Sequence, residues 1–200
     1  MPFLLRVSLP DVPGSLGRLA GAIGRAGGDI DAIEIVEKSG TGTAVDDVLL
    51  EMAPGAMPDS IVSACNALDG VEVLWISRYA AGGNLFLDLE VVEELTAHPR
   101  EALDRVIDLL PITFRVDWAA RVGTDGAVGR ATDAAPSEVS WMALDQPSRL
   151  PDDGETVFCG APLGKDLIVL GRRGGPEFLD SELARLGHLL GLARSINRAA

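Results

Sequence analysis

The chain has 200 residues, enough for one large or two small domains, and its 47% hydrophobic and 24% charged residues describe ordinary globular protein. A net charge of −13, spread along the chain, repels phosphate backbones and argues against nucleic-acid binding. The N-terminus lacks the basic, apolar and small-residue pattern of a signal peptide, and no apolar run reaches the roughly 18 residues of a membrane helix, so a cytoplasmic protein without a membrane partner is expected.

In chain order, Leu5, Val7 and Leu9 alternate with Leu4, Arg6 and Ser8, predicting a strand over Phe3–Leu9. Asp11-Val12-Pro13-Gly14-Ser15 breaks it, because Pro13 cannot donate to a ladder and Gly14 permits unusual φ. Leu16, Leu19, Ala20, Ile23 and Ala26 then recur at helical spacing, and Gly27-Gly28 ends that helix. Strands follow at Ile30–Glu37 and Ala44–Met52 across a Ser39-Gly40-Thr41-Gly42 loop. Pro58 suits the first turn of a second helix, with Ile61, Cys65 and Leu68 as its buried stripe. Asp69-Gly70 closes it before a strand over Val71–Tyr79. The order βαββαβ predicts a four-stranded antiparallel sheet with both helices on one face, the ferredoxin-like arrangement. Its other face is left bare, and an uncovered apolar sheet face calls for a partner.

Ala80-Ala81-Gly82-Gly83 reads as a linker. Beyond it, Asn84 caps a helix carrying Leu85, Leu89 and Val92, and Pro99 starts another carrying Leu103, Val106, Ile107 and Leu110 that Pro111 ends. Phe114, Val116, Trp118, Ala120 and Val122 alternate with polar or small residues, predicting a half-buried strand. Thr124-Asp125-Gly126 turns it toward a second strand near Val128. Residues 132–155 read as loops around one short strand at Val139–Ala143. Val157–Leu163 and Leu167–Arg172 form a hairpin across Gly164-Lys165. A last helix with Asp180 as N-cap carries Leu179, Leu183, Leu186, Leu190 and Ala193, a seam that serves either as core or for helix pairing.

Chemistry concentrates in Asp11-Val12-Pro13-Gly14-Ser15-Leu16. The amides of Gly14–Leu16 point out of a helix N-terminus and offer a site to a carboxylate. Asp11 can meet an ammonium, and Gly14 lets a ligand approach the main chain. The simpler reading is that Asp11 and Ser15 cap the helix and Pro-Gly makes the turn. Catalytic constellations are thin. His98 and His188 have no partners at catalytic or ligand spacing, and no Cys-x-x-Cys or His-Glu-x-x-His points to a metal. Gly164-Lys165 lacks the upstream glycines of a phosphate loop. Asp46-Asp47 and Asp152-Asp153 read as surface acidic pairs, and no cofactor is implied. Cys65 and Cys159 read as buried reduced thiols. Trp75, Trp118 and Trp141 read as core, Trp118 also as a possible pocket wall.

A strand, Asp-x-Pro-Gly-x-Leu, a helix, Gly27-Gly28-Asp29-Ile30 and a βαβ remainder together resemble the ACT family over residues 3–79, within a domain spanning 1–79. The resemblance implies a regulatory domain that pairs as a homodimer and binds amino-acid effectors where the Pro-Gly loop meets the partner's second strand. It places Asp11, Val12, Pro13, Gly14, Ser15, Leu16, Asp29 and Ile30 in that site. Asparagines stand at the positions of Asp11 and Asp29 in the serine-binding domain of phosphoglycerate dehydrogenase. Two aspartates would better suit a basic or amine-dominated ligand. Residues 84–200 more softly resemble a GAF-like sensor domain, chiefly through Ala161-Pro162-Leu163, Asp166–Arg172, a Gly-Pro turn and Phe178–Leu192. The expected protein is α+β, non-catalytic and regulatory, binding a small effector. The alternative is a subunit that regulates an amino-acid biosynthetic enzyme in trans without binding ligand itself.

Overall fold

β1, Pro2–Pro10, forms because its odd positions are apolar: Phe3, Leu5, Val7 and Leu9 all enter one core. The computed structural model describes residues 2–40, 42–78 and 83–200 and divides into two units, Met1–Gly83 and Asn84–Ala200. In the first unit β1 is followed by α1 (Ser15–Arg25), β2 (Gly28–Lys38), β3 (Thr43–Met52), α2 (Pro58–Asn66) and β4 (Glu72–Arg78). The sheet order is β2-β3-β1-β4, every pairing antiparallel, which is the expected ferredoxin-like arrangement. Leu19 and Ile23 of α1 and Ile61 and Cys65 of α2 close over Leu5, Val7, Val48 and Leu50. Each such fully buried side chain contributes about 1.5–3 kcal/mol over its exposed state.

The opposite face of this sheet departs from expectation. It carries Leu4, Arg6, Asp47 and Leu49, all buried, and its centre is ionic rather than bare and apolar. Arg6 lies opposite Asp47 in the β1–β3 register, and its guanidinium donates to both carboxylate oxygens at 2.8 and 2.9 Å. Bidentate geometry makes burial of such a pair tolerable.

The second unit contains α3 (Gly83–Ala97), a 3-10 turn at Pro99–Glu101, α4 (Ala102–Phe114), β5 (Trp118–Val122), β6 (Val128–Ala131), β7 (Ser148–Leu150), β8 (Thr156–Leu163), β9 (Asp166–Arg173) and α5 (Asp180–Arg198). Its antiparallel sheet has the order β6-β5-β9-β8-β7. Val91 and Leu95 of α3, Val106, Ile107 and Leu110 of α4, and Leu183, Leu186 and Leu190 of α5 share one core with Ala119, Ala161, Ile168 and Leu170 of that sheet. The leucine seam of α5 is therefore core. The other sheet face packs Trp118, Ala120, Val122, Leu167 and Val169 against Ala135, Val139 and Leu144 of the long segment before β7.

The second unit departs from the sequence expectations at several points. α4 runs through Pro111 to Phe114 and ends at Arg115, whose φ of 51° is left-handed, so the strand begins at Trp118 rather than Phe114. Thr113 and Phe114 are buried, and that packing offsets the lost hydrogen bond and the ring clash that an internal proline brings to a helix. Residues 139–143 are not a strand; β7 forms later, at Ser148–Leu150. The N-cap of α5 is Leu179, and Glu182 supplies the missing cap by accepting from the Leu179 amide at 2.8 Å, while Asp180 pairs with Arg149. In α3, Leu85 and Leu89 are exposed and Leu87, Val91 and Leu95 are buried. Trp141, expected in a core, is 37% exposed. Thr41, Tyr79 and the linker residues 80–82 lie outside the described residues.

Candidate ligand-binding site

Where β1 gives way to α1, Pro13-Gly14 turns the chain sharply. Gly14 is the N-cap of α1 with φ 91°, and no side-chain hydrogen bond caps the helix. A side chain at this φ would be strained. The simpler capping reading of Asp11 and Ser15 is not what forms. The Asp11 carboxylate instead accepts from Lys38 Nζ at 3.1 and 3.2 Å, and Ser15 Oγ accepts from Arg18 at 3.3 Å. The Ser15 amide itself turns back to the Val12 carbonyl at 3.2 Å, so the donor capacity left at the start of α1 lies in the first-turn amides beyond it.

Asp11, Val12, Pro13, Gly14, Ser15 and Leu16 line one cavity of about 300 Å3, together with Leu9, Pro10, Ile35, Ala44 and Asp46. Leu16 and Val12 are exposed rather than packed in the core. The cavity is small, at the lower end of ligand-pocket volumes. Asp29 and Ile30 do not line it. They pair with Glu51 and Leu50 at the start of β2, the sheet end where Pro2 meets Glu51, whereas Asp11 follows the end where Pro10 meets Thr43.

Asp46 is the residue that sequence reading missed. It faces Ile35 in the β2–β3 register and is 1% exposed, with an Oδ1 atom that finds no hydrogen-bond partner. Burial raises its pKa, as do the nearby Asp11 and Asp47 carboxylates, with Lys38 opposing them. A signal was present in the sequence. In Ala44, Asp46, Val48, Leu50 and Met52 the aspartate occupies a core-facing step of an alternating strand, so it was not a surface acid.

A second cavity, of about 360 Å3, lies in the second unit against Trp118, Phe158, Val169, Leu150 and Met142, with Glu138 at its wall. Trp118 thus is a pocket wall. His98 Nδ1 lies 3.2 Å from the Glu94 carbonyl and His188 is exposed. Among the described residues, no group of three or more His, Cys, Asp or Glu is arranged to hold a metal, and no helix is long and apolar enough to cross a membrane.

Residues 3–56 match the family model of the ACT domain, so the first unit carries an ACT domain over that stretch, a module whose general role is regulatory ligand binding. No curated protein matches the sequence. Among solved structures, the chain is similar to the GAF domain of an Acinetobacter phosphoenolpyruvate-protein phosphotransferase, with 12% identity, 60% of this chain and 96% of that chain covered, and a TM-score of 0.45. A formyltetrahydrofolate deformylase from Pseudomonas putida is similar at 8% identity over 49% of this chain and 39% of that one, with a TM-score of 0.32. An unknown protein from Galdieria sulphuraria aligns over 99% of this chain and 92% of its own at 12% identity and a TM-score of 0.34.

Proposed function

We propose that this is a non-catalytic, cytoplasmic regulatory protein of two domains, residues 1–79 and 84–200. The first binds an amino acid at the interface of a homodimer, and the second is a sensor or interaction domain. The observation that carries the reading is the cavity in which residues 11–16 meet the uncapped start of α1. A carboxylate belongs at the start of α1, because the helix dipole and the first-turn amides beyond Ser15 both favour an anion there. Asp29 and Ile30 join the site from the partner's β2, which is why they lie apart from the loop within one chain. Effector binding shifts the protein between dimer arrangements only through its different affinities for them.

The test is thermal unfolding against the twenty amino acids at millimolar concentration. A ligand at 100 times its dissociation constant adds about 2.7 kcal/mol of stability, a plainly raised midpoint that Gly14→Leu should abolish. A flat panel on a folded dimer would sink the ligand-binding reading. A subunit acting in trans on a biosynthetic enzyme is the second reading. The outward Leu85, Phe86 and Leu89 of α3, the first of them 75% exposed, favour it, because such a patch fits a protein partner.

A further inference from the structure

Three charged side chains are buried among the described residues of the first unit: Arg6, Asp46 and Asp47. Arg6 and Asp47 satisfy each other. Asp46 sits on the other face of β3 and lines the Pro-Gly cavity, and its Oδ1 is buried without a hydrogen-bond partner. A buried carboxylate without a partner is costly and persists where something else repays it. Lys38, the cation whose charge reaches Asp46, gives its own hydrogen bonds to Asp11.

Leu9, Val12, Leu16, Ile35 and Ala44 give the cavity largely apolar walls, with Asp11 among the lining residues too. An aliphatic stem fits such walls, and a charge at its tip would meet the carboxylate. The α-ammonium of an amino acid suits Asp46 poorly, because it would draw its own carboxylate in beside Asp11 and Asp46. Like charges so placed repel. A side-chain ammonium avoids this, leaving the ligand carboxylate at the start of α1.

We propose that Asp46 is the counter-ion for a primary ammonium at the end of an aliphatic stem, so that the cavity selects basic amino acids. This rests on the amino-acid-binding reading above and narrows it. Burial and the Asp11 and Asp47 charges hold Asp46 toward its protonated form, against Lys38, and an arriving ammonium reverses that balance.

The experiment is isothermal titration of the full-length protein with L-lysine and L-ornithine, and with L-norleucine and L-norvaline, which keep a similar stem but lack the terminal ammonium. At least one cationic ligand should bind tenfold or more tighter than its neutral counterpart. Asp46→Asn should bring that ligand down to the neutral one's level and leave the neutral one unchanged. Removing an unpartnered buried acid does not threaten folding, and the wild-type comparison stands without the variant. Equal binding of cationic and neutral ligands, or lysine and ornithine binding untouched by Asp46→Asn, would overturn the counter-ion role while the amino-acid reading survives. Failure of both cationic ligands also overturns it. A panel flat for all twenty amino acids would remove the broader reading as well.

Discussion

Asp47 meets Arg6 through two hydrogen bonds, whereas Asp46, one residue earlier, lines a cavity and keeps one buried oxygen without a partner. Strand alternation sends the two carboxylates to opposite faces of the sheet. Their stability consequences differ accordingly. Asp46 is raised above its ordinary 3.8, so the folded state holds its proton where the unfolded state has lost it. Its contribution is fully present below about pH 3.8 and is lost as pH rises through the raised value. The midpoint of Asp46→Asn should therefore climb above that of wild type as pH rises from 4, then run parallel to it. A gap that stays constant from pH 4 to 8 would mean that Asp46 titrates normally. The loop residues 11–16 were legible in sequence because Pro-Gly between a strand and a helix has few structural solutions. Asp46 was legible only faintly, in its step with Ala44, Val48, Leu50 and Met52, because Val45 and Leu49 give the neighbouring Asp47 an apolar alternation too until strand register assigns the faces.

At the level of elements, boundaries were harder to read than identities. The first unit's six elements all form where the alternating and helical spacings place them, within a few residues. In the second unit the pattern from Phe114 to Val122 looked like one strand. Phe114 and Val116 enter the same core, however, from a helix end and the turn after it. The strand proper is fixed by its neighbour: Asp117 donates its amide to the Gly171 carbonyl at 2.8 Å, and Trp118 lies opposite Gly171. The indole rests directly on that glycine, since an added Cβ would fall 2.4 Å from the ring. Gly171→Ala should therefore displace Trp118 and destabilise the second unit by about 1–3 kcal/mol, as overpacking does. Urea unfolding followed by tryptophan fluorescence would measure it, and an unchanged midpoint would mean that the indole has room to move. Trp118 also walls the 360 Å3 cavity, so the same variant should reshape that space.

For the whole chain, the two units carry separate hydrophobic cores. Leu5, Leu19, Val48 and Ile61 belong to one, and Val106, Phe114, Ile168 and Leu186 to another. The expectation of two modules came from composition and glycine punctuation around residues 80–83, which mark a boundary without saying how the parts behave. Cys65 lies in the first core and Cys159 in the second, both free and buried. Burial pushes the Cys65 thiol up to about 11 and raises Cys159 as well, which makes both poor nucleophiles while folded. Each unit thus contains one silent reporter that becomes reactive only when its own core opens. Pulsed alkylation along a denaturant series, read by peptide mass, should yield two protection curves. Curves with different midpoints would mean that the modules melt independently, and superimposed ones that the chain opens as a single cooperative body.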